Sequence, residues 1–133
     1  MKITGTAVDL GILVRDIEPM LAFYCDTLGW PKAGEVTFPG GRTQHRIAAG
    51  ESLIKLMQFP DGEAPPAGEP GRMSRAGIRY FTVRVHDLPG VVGELEAKGA
   101  NLVVPLREAR PGVWIAMVED PEGNTVELLE ERS

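Results

Sequence analysis

Apolar and polar positions change rhythm along this chain, and the changes mark its elements. TAVDLGILV at 6–14 looks like a strand. Met20, Leu21, Phe23, Tyr24 and Leu28 then fall near helical spacing. They predict a helix over about 18–28, with Asp16 as its N-cap and Gly29 as its stop. Three strand-like runs follow, roughly 32–38, 42–49 and 52–59, separated by Pro39-Gly40-Gly41 and Gly50-Glu51 as hairpin turns. Residues 60–77, PDGEAPPAGEPGRMSRAG, carry four prolines and four glycines and predict a linker or flap. Arg72 and Arg75 sit in it, where a loop can lend them to a ligand.

After the linker the rhythm restarts. IRYFTVRV at 78–85 reads as a strand, Asp87 as a cap, and Gly90 to Lys98 as a helix ended by Gly99. Strands are expected near 101–108, 112–119 and 124–130. Each half is therefore strand, helix and three strands, and the repeat extends to spacing: Asp16 and Asp87 lie 71 residues apart. The fold class is α+β, built from module 1 (about 4–59), the linker 60–77 and module 2 (about 78–131).

Composition narrows the class without changing this picture. At 133 residues, 43% hydrophobic and 25% charged, the chain has the make-up of one ordinary soluble domain. A net charge of -5 speaks against a general nucleic-acid binder. Arginine outnumbers lysine ten to four, a lean towards carboxylate or phosphate partners. Cys25 is the only cysteine, so neither an intrachain disulfide nor a cysteine-based zinc site is available. No stretch has the length of a membrane span and the N-terminus makes a poor signal peptide, so a cytoplasmic location is expected.

In the closing stretch DPEGNTVELLE a turn leads into a strand that puts a carboxylate, Glu127, among apolar residues. An enclosed carboxylate needs a cation, a donor or a proton.

Together with DLGILVRDIEPMLAFYCDTLGW and YFTVRVHDLPGVVGELEAKGA, that stretch resembles the vicinal oxygen chelate superfamily. This superfamily includes glyoxalase I, bleomycin-resistance proteins, fosfomycin-resistance enzymes and extradiol dioxygenases. The resemblance implies paired βαβββ modules whose sheets form an open, barrel-like cleft, and it implies a homodimer. Metal-dependent members bind one divalent ion through four cleft residues, typically His, a Glu or Gln, His and Glu. Carried across by the repeat, those positions fall on Asp9, Lys55, Tyr80 and Glu127. Only Glu127 is an unchanged family ligand.

An ammonium offers no lone pair to a metal and a phenol must first lose its proton. The expectation is therefore a site without a cofactor, in which Glu127 faces Lys55. The alternative is a single divalent ion on Asp9 and Glu127 with waters.

Three readings follow. In the first, an acid–base enzyme of isomerase, lyase or cyclase type works next to a carbonyl. Lys55 and Tyr80 are then oxyanion donors, and Asp9 or Glu127 moves a proton. In the second, the protein sequesters a small molecule against Leu13, Leu53, Met57 and Thr82, with Trp30 and Trp114 stacking on it. In the third, the four polar residues are a structural charge cluster. His45 is the remaining acid–base or ligand-contact candidate, Arg84 an anchor for a substrate carboxylate, and His86 is expected to face the helical side or solvent. In every functional reading the partner is a small molecule.

Overall fold

The computed structural model describes residues 1–132. The chain divides into two compact units, Met1–Ala67 and the remainder from Gly68, and the division falls inside the proline- and glycine-rich stretch.

In the first unit β1 (Leu10–Val14) leads into α1 (Ile17–Leu21), which continues as a π-helical segment (Ala22–Thr27). Strands β2 (Lys32–Thr37), β3 (Thr43–Ala49) and β4 (Ser52–Gln58) follow, and the sheet order is β1-β4-β3-β2. Here β1 runs parallel to β4, while the β2–β3 and β3–β4 pairs are antiparallel hairpins. The helical segment buries Ile17, Met20, Phe23 and Tyr24, whose last two rings meet edge to face at 4.9 Å. The wide π turn is visible in Leu28 N–H donating to the Phe23 carbonyl, five residues back, and Gly29 ends the segment with a φ of 75°. Buried Ile47, Ile54 and Leu56 alternate with half-buried Arg46, Leu53, Lys55 and Met57, so the sheet has one core face and one polar face.

The second unit repeats the plan with β5 (Tyr80–Arg84), α2 (Leu88–Ala97), β6 (Asn101–Arg110), β7 (Val113–Glu119) and β8 (Thr125–Glu131). Its sheet order is β5-β8-β7-β6, with β5 parallel to β8. Leu88, Val92 and Leu95 are the buried residues of α2, and Ala116, Val118, Val126 and Leu128 are the most deeply buried of β7 and β8. A further apolar cluster joins Val104, Val113, Ile115, Met117 and Leu129. Neither sheet closes into a barrel; each ends in two edge strands.

The first strand is shorter than its hydrophobic pattern predicts. The β1–β4 ladder begins at Leu10 opposite Ile54, and the Asp9 side chain accepts the Leu53 N–H at 2.8 Å. A carboxylate thus satisfies a donor just beyond the end of the backbone ladder, and residues 6–9 remain outside the strand. Likewise β5 begins at Tyr80 rather than 78. Among the described residues no helix is long and apolar enough to cross a membrane.

Candidate functional site

The polar face of the first sheet is organised by register. Lys55 on β4 lies opposite Gly11 on β1 and opposite Arg46 on β3, so both cations project from one face. Asp9 stands at the N-terminal edge of β1, where its second carboxylate oxygen is 3.5 Å from Lys55 Nζ. The Leu53 N–H above all holds the Asp9 carboxyl below its ordinary pKa; desolvation opposes it, and Lys55 and then Arg46 add smaller lowering contributions. Arg46 is oriented in turn by its Nε donating to Gln44 Oε1 at 3.0 Å. Leu53 and Met57 lie two residues either side of Lys55 on the same face, with Leu13 opposite Met57 and 59% exposed.

The second sheet offers the corresponding positions. Thr82 on β5 lies opposite Glu127 on β8, just as Gly11 lies opposite Lys55. The Thr82 hydroxyl donates to Glu127 Oε1 at 2.7 Å. Tyr80 is two residues before Thr82, as Asp9 is two before Gly11, and its side chain is 52% exposed. Arg84 continues that face and reaches Glu131 at 3.5 Å.

The structure therefore joins Asp9 to Lys55 within one unit and gives Glu127 a hydroxyl partner within the other. The ion pair found for Lys55 is the one with Asp9. Two of the residues singled out from sequence lie on the opposite sheet faces. His45 is 6% exposed and shares the core face of β3 with Ile47. Its Nε2 is 2.8 Å from Gln58 Oε1, and its Nδ1 is 3.5 Å from Glu35. Trp114 alternates with Ile115 and so faces away from Glu127, with the Arg132 guanidinium 4.6 Å over its ring. Trp30 packs against Tyr24 with ring centroids 5.8 Å apart. His86 is exposed just ahead of α2. Arg46 and the Thr82–Glu127 bond are features that the sequence pattern did not single out. Among the described residues no group of three or more His, Cys, Asp or Glu side chains is placed so that it could hold a metal ion.

Residues 6–128 match the model of the Glyoxalase/Bleomycin resistance protein/Dioxygenase superfamily. The chain belongs to this superfamily. Among curated relatives, the uncharacterized protein YaeR of Escherichia coli is 28% identical over 92% of this chain and 93% of its own length. A probable lactoylglutathione lyase of Synechocystis is 27% identical, with 92% of each chain covered. Among solved structures, TnmS3, an antibiotic binding protein from Streptomyces, superposes with a TM-score of 0.72 at 21% identity, covering 98% of both chains. In superfamily terms, the two units are the two βαβββ modules, and the parallel pairs β1–β4 and β5–β8 are equivalent strands.

Proposed function

We propose that this superfamily member is a metal-independent acid–base enzyme acting next to a carbonyl of a small molecule. Asp9, Lys55, Tyr80 and Glu127 are its polar groups. The observation that carries this reading is the pairing of Asp9 with Lys55, in a setting where Arg46 adds a second cation. A site that holds a divalent ion presents lone pairs and negative charge. This first-module face presents an ammonium and a guanidinium, and its one carboxylate already accepts a backbone N–H. Such a donor set does not fit a divalent ion.

The same groups suit a developing oxyanion. In this reading Lys55 is a charged donor and Tyr80 a neutral one, and donors supplied where charge develops lower a barrier. Glu127 accepts one hydrogen bond from Thr82, which fixes its carboxylate while leaving its second oxygen for a proton. Proton removal beside the carbonyl would then be balanced by charge arriving on the carbonyl oxygen.

The test is hydrogen–deuterium exchange at the carbon next to the carbonyl, followed by NMR across a panel of small ketones and aldehydes. It is run on protein purified without chelator and analysed for metals. The expected result is exchange that survives EDTA and falls by roughly 10²–10³-fold in Lys55→Ala. Glu127→Ala should fall comparably. Stoichiometric manganese, zinc, nickel or iron, or unchanged rates in both variants, defeats the reading.

A second reading, ligand sequestration, is favoured by one observation. Leu13, a large apolar side chain, stands largely exposed beside Met57 on the Lys55 face. A binder depends on this apolar wall more than on the charges. Its ligand affinity falls further in Leu13→Asp than in Lys55→Ala, and the enzyme shows the reverse order in turnover.

A further inference from the structure

The segment between the two repeats is more than a connector. Residues 72–80 border an open hollow of about 570 Å³. Three arginines, Arg72, Arg75 and Arg79, line it together with Met73, Ile78 and Tyr80. In a chain of net charge -5 this is a dense local concentration of cations, and no carboxylate lines the hollow. Among the described residues none of the three arginines has an acidic partner.

The loop is organised around one acceptor. The Gly71 carbonyl receives the Ser74 N–H at 3.3 Å, the Ser74 hydroxyl at 2.8 Å and Arg79 Nη2 at 3.2 Å. Gly71 and Gly77, at φ 96° and 113°, supply backbone conformations that side-chain-bearing residues rarely adopt. These bonds hold Arg79 across the base of the loop, where its Nε is enclosed without an acceptor. An uncompensated guanidinium with a shielded donor is costly, and a nearby anion offsets that cost. The apolar part of the lining is unusually bare. Met73 is 85% exposed and Ile78 83%. A ligand that suits both features carries an oxyanion on an apolar body.

We propose that the Arg72–Tyr80 loop is a binding site for a small organic oxyanion, a carboxylate or phosphonate joined to an aromatic or branched apolar group. The arginines take the head group in charge-assisted hydrogen bonds. Met73, Ile78 and the Tyr80 ring cover the body. Tyr80 also belongs to the polar groups of the proposed chemistry, but binding here requires no turnover, so the two ideas fail separately.

The experiment is a ¹⁵N-resolved NMR titration of the full chain with phenylphosphonate, benzoate and the uncharged benzyl alcohol. Phenylphosphonate or benzoate should shift the amides of residues 71–80 saturably, and the tighter of the two identifies the preferred head group. Benzyl alcohol at equal concentration should leave them in place. An R72Q/R75Q double variant should bind roughly tenfold more weakly or worse, whereas R110Q, at the exposed end of β6, should match the wild type. If the glutamine variant loses its native spectrum, R72K/R75K keeps the charges and retains binding within a few-fold. Shifts scattered outside the loop, equal response to benzyl alcohol, or undiminished affinity in R72Q/R75Q overturns the proposal.

Discussion

Arg46 and Lys55 stand directly opposite each other across the antiparallel β3–β4 pair, two cations on one face of one sheet. Like charges in that position repel. Asp9 is the carboxylate that offsets them, 3.5 Å from Lys55 and held low in pKa first by the Leu53 N–H.

Replacing Asp9 by Asn removes the negative charge while keeping an acceptor for Leu53. The variant should fold but melt below the wild type, and added salt should narrow the gap as it screens the two half-buried cations. Thermal melts at low and high ionic strength check this. A gap that ignores salt would mean that the hydrogen bond, and not the charge, is what Asp9 contributes.

The two faces of the first sheet should respond differently to truncation. Leu56 is fully buried on the core face, and Leu56→Ala should cost about 2–5 kcal/mol through lost burial and a residual cavity. Leu13 is mostly exposed on the other face, so Leu13→Ala should leave stability within about 0.5 kcal/mol of wild type. Urea denaturation with an unchanged m-value measures both.

The fold was largely legible because the repeat and the turn chemistry agree. The Gly50-Glu51 turn alone pairs residue 49 with 52, and from there 46 with 55. The opposition of Arg46 and Lys55 was thus available by counting, but the polar run GRTQHRIAAG disguised which of its side chains face the core. His45 shows why: a buried imidazole interrupts the apolar alternation that would have fixed the face. Asp9 misled in a different way. It sits in a strand-like pattern, yet its side chain takes over a backbone donor and the strand starts after it. The alternation of β5 puts Thr82 on the face of Tyr80, but its bond to Glu127 depends on the parallel register of β5 and β8, which local pattern does not reveal.

His45 provides a test of which face matters for ligands. Its imidazole fills a core position and bonds Gln58. His45→Ala should lower stability by roughly 1–3 kcal/mol, from the vacated volume and a Gln58 oxygen left without its partner. Because the side chain lies on the opposite face from Lys55, ligand affinity of the folded variant should equal that of the wild type. A large loss of affinity at full folding would place the ligand against the helical face instead.

The start of α2 carries a pH dependence of defined sign. Asp87 enters the helix with a φ of 52°, a left-handed conformation that its own bond from the Gly90 N–H, at 3.3 Å, helps to hold. The first helical donors are satisfied from β8: Glu130 accepts the Asp87 N–H at 2.7 Å and the Leu88 N–H at 3.3 Å, and Arg132 Nε at 2.8 Å. The bond from Arg132 is the main cause that lowers the Glu130 pKa; desolvation opposes it and the two backbone donors add to it. A carboxylate whose pKa is lower folded than unfolded stabilises the protein above the unfolded value, and loses that contribution as pH falls through the folded one. Glu130→Gln keeps an acceptor but not the charge, so it should melt below the wild type at neutral pH. The difference should shrink as the pH drops below ~4, where the wild-type carboxyl takes up its proton and comes to resemble the amide. Melting curves by circular dichroism from neutral to acid pH follow this directly. A difference that stays constant across the range would show that Glu130 contributes packing at the helix start and no charge-dependent capping.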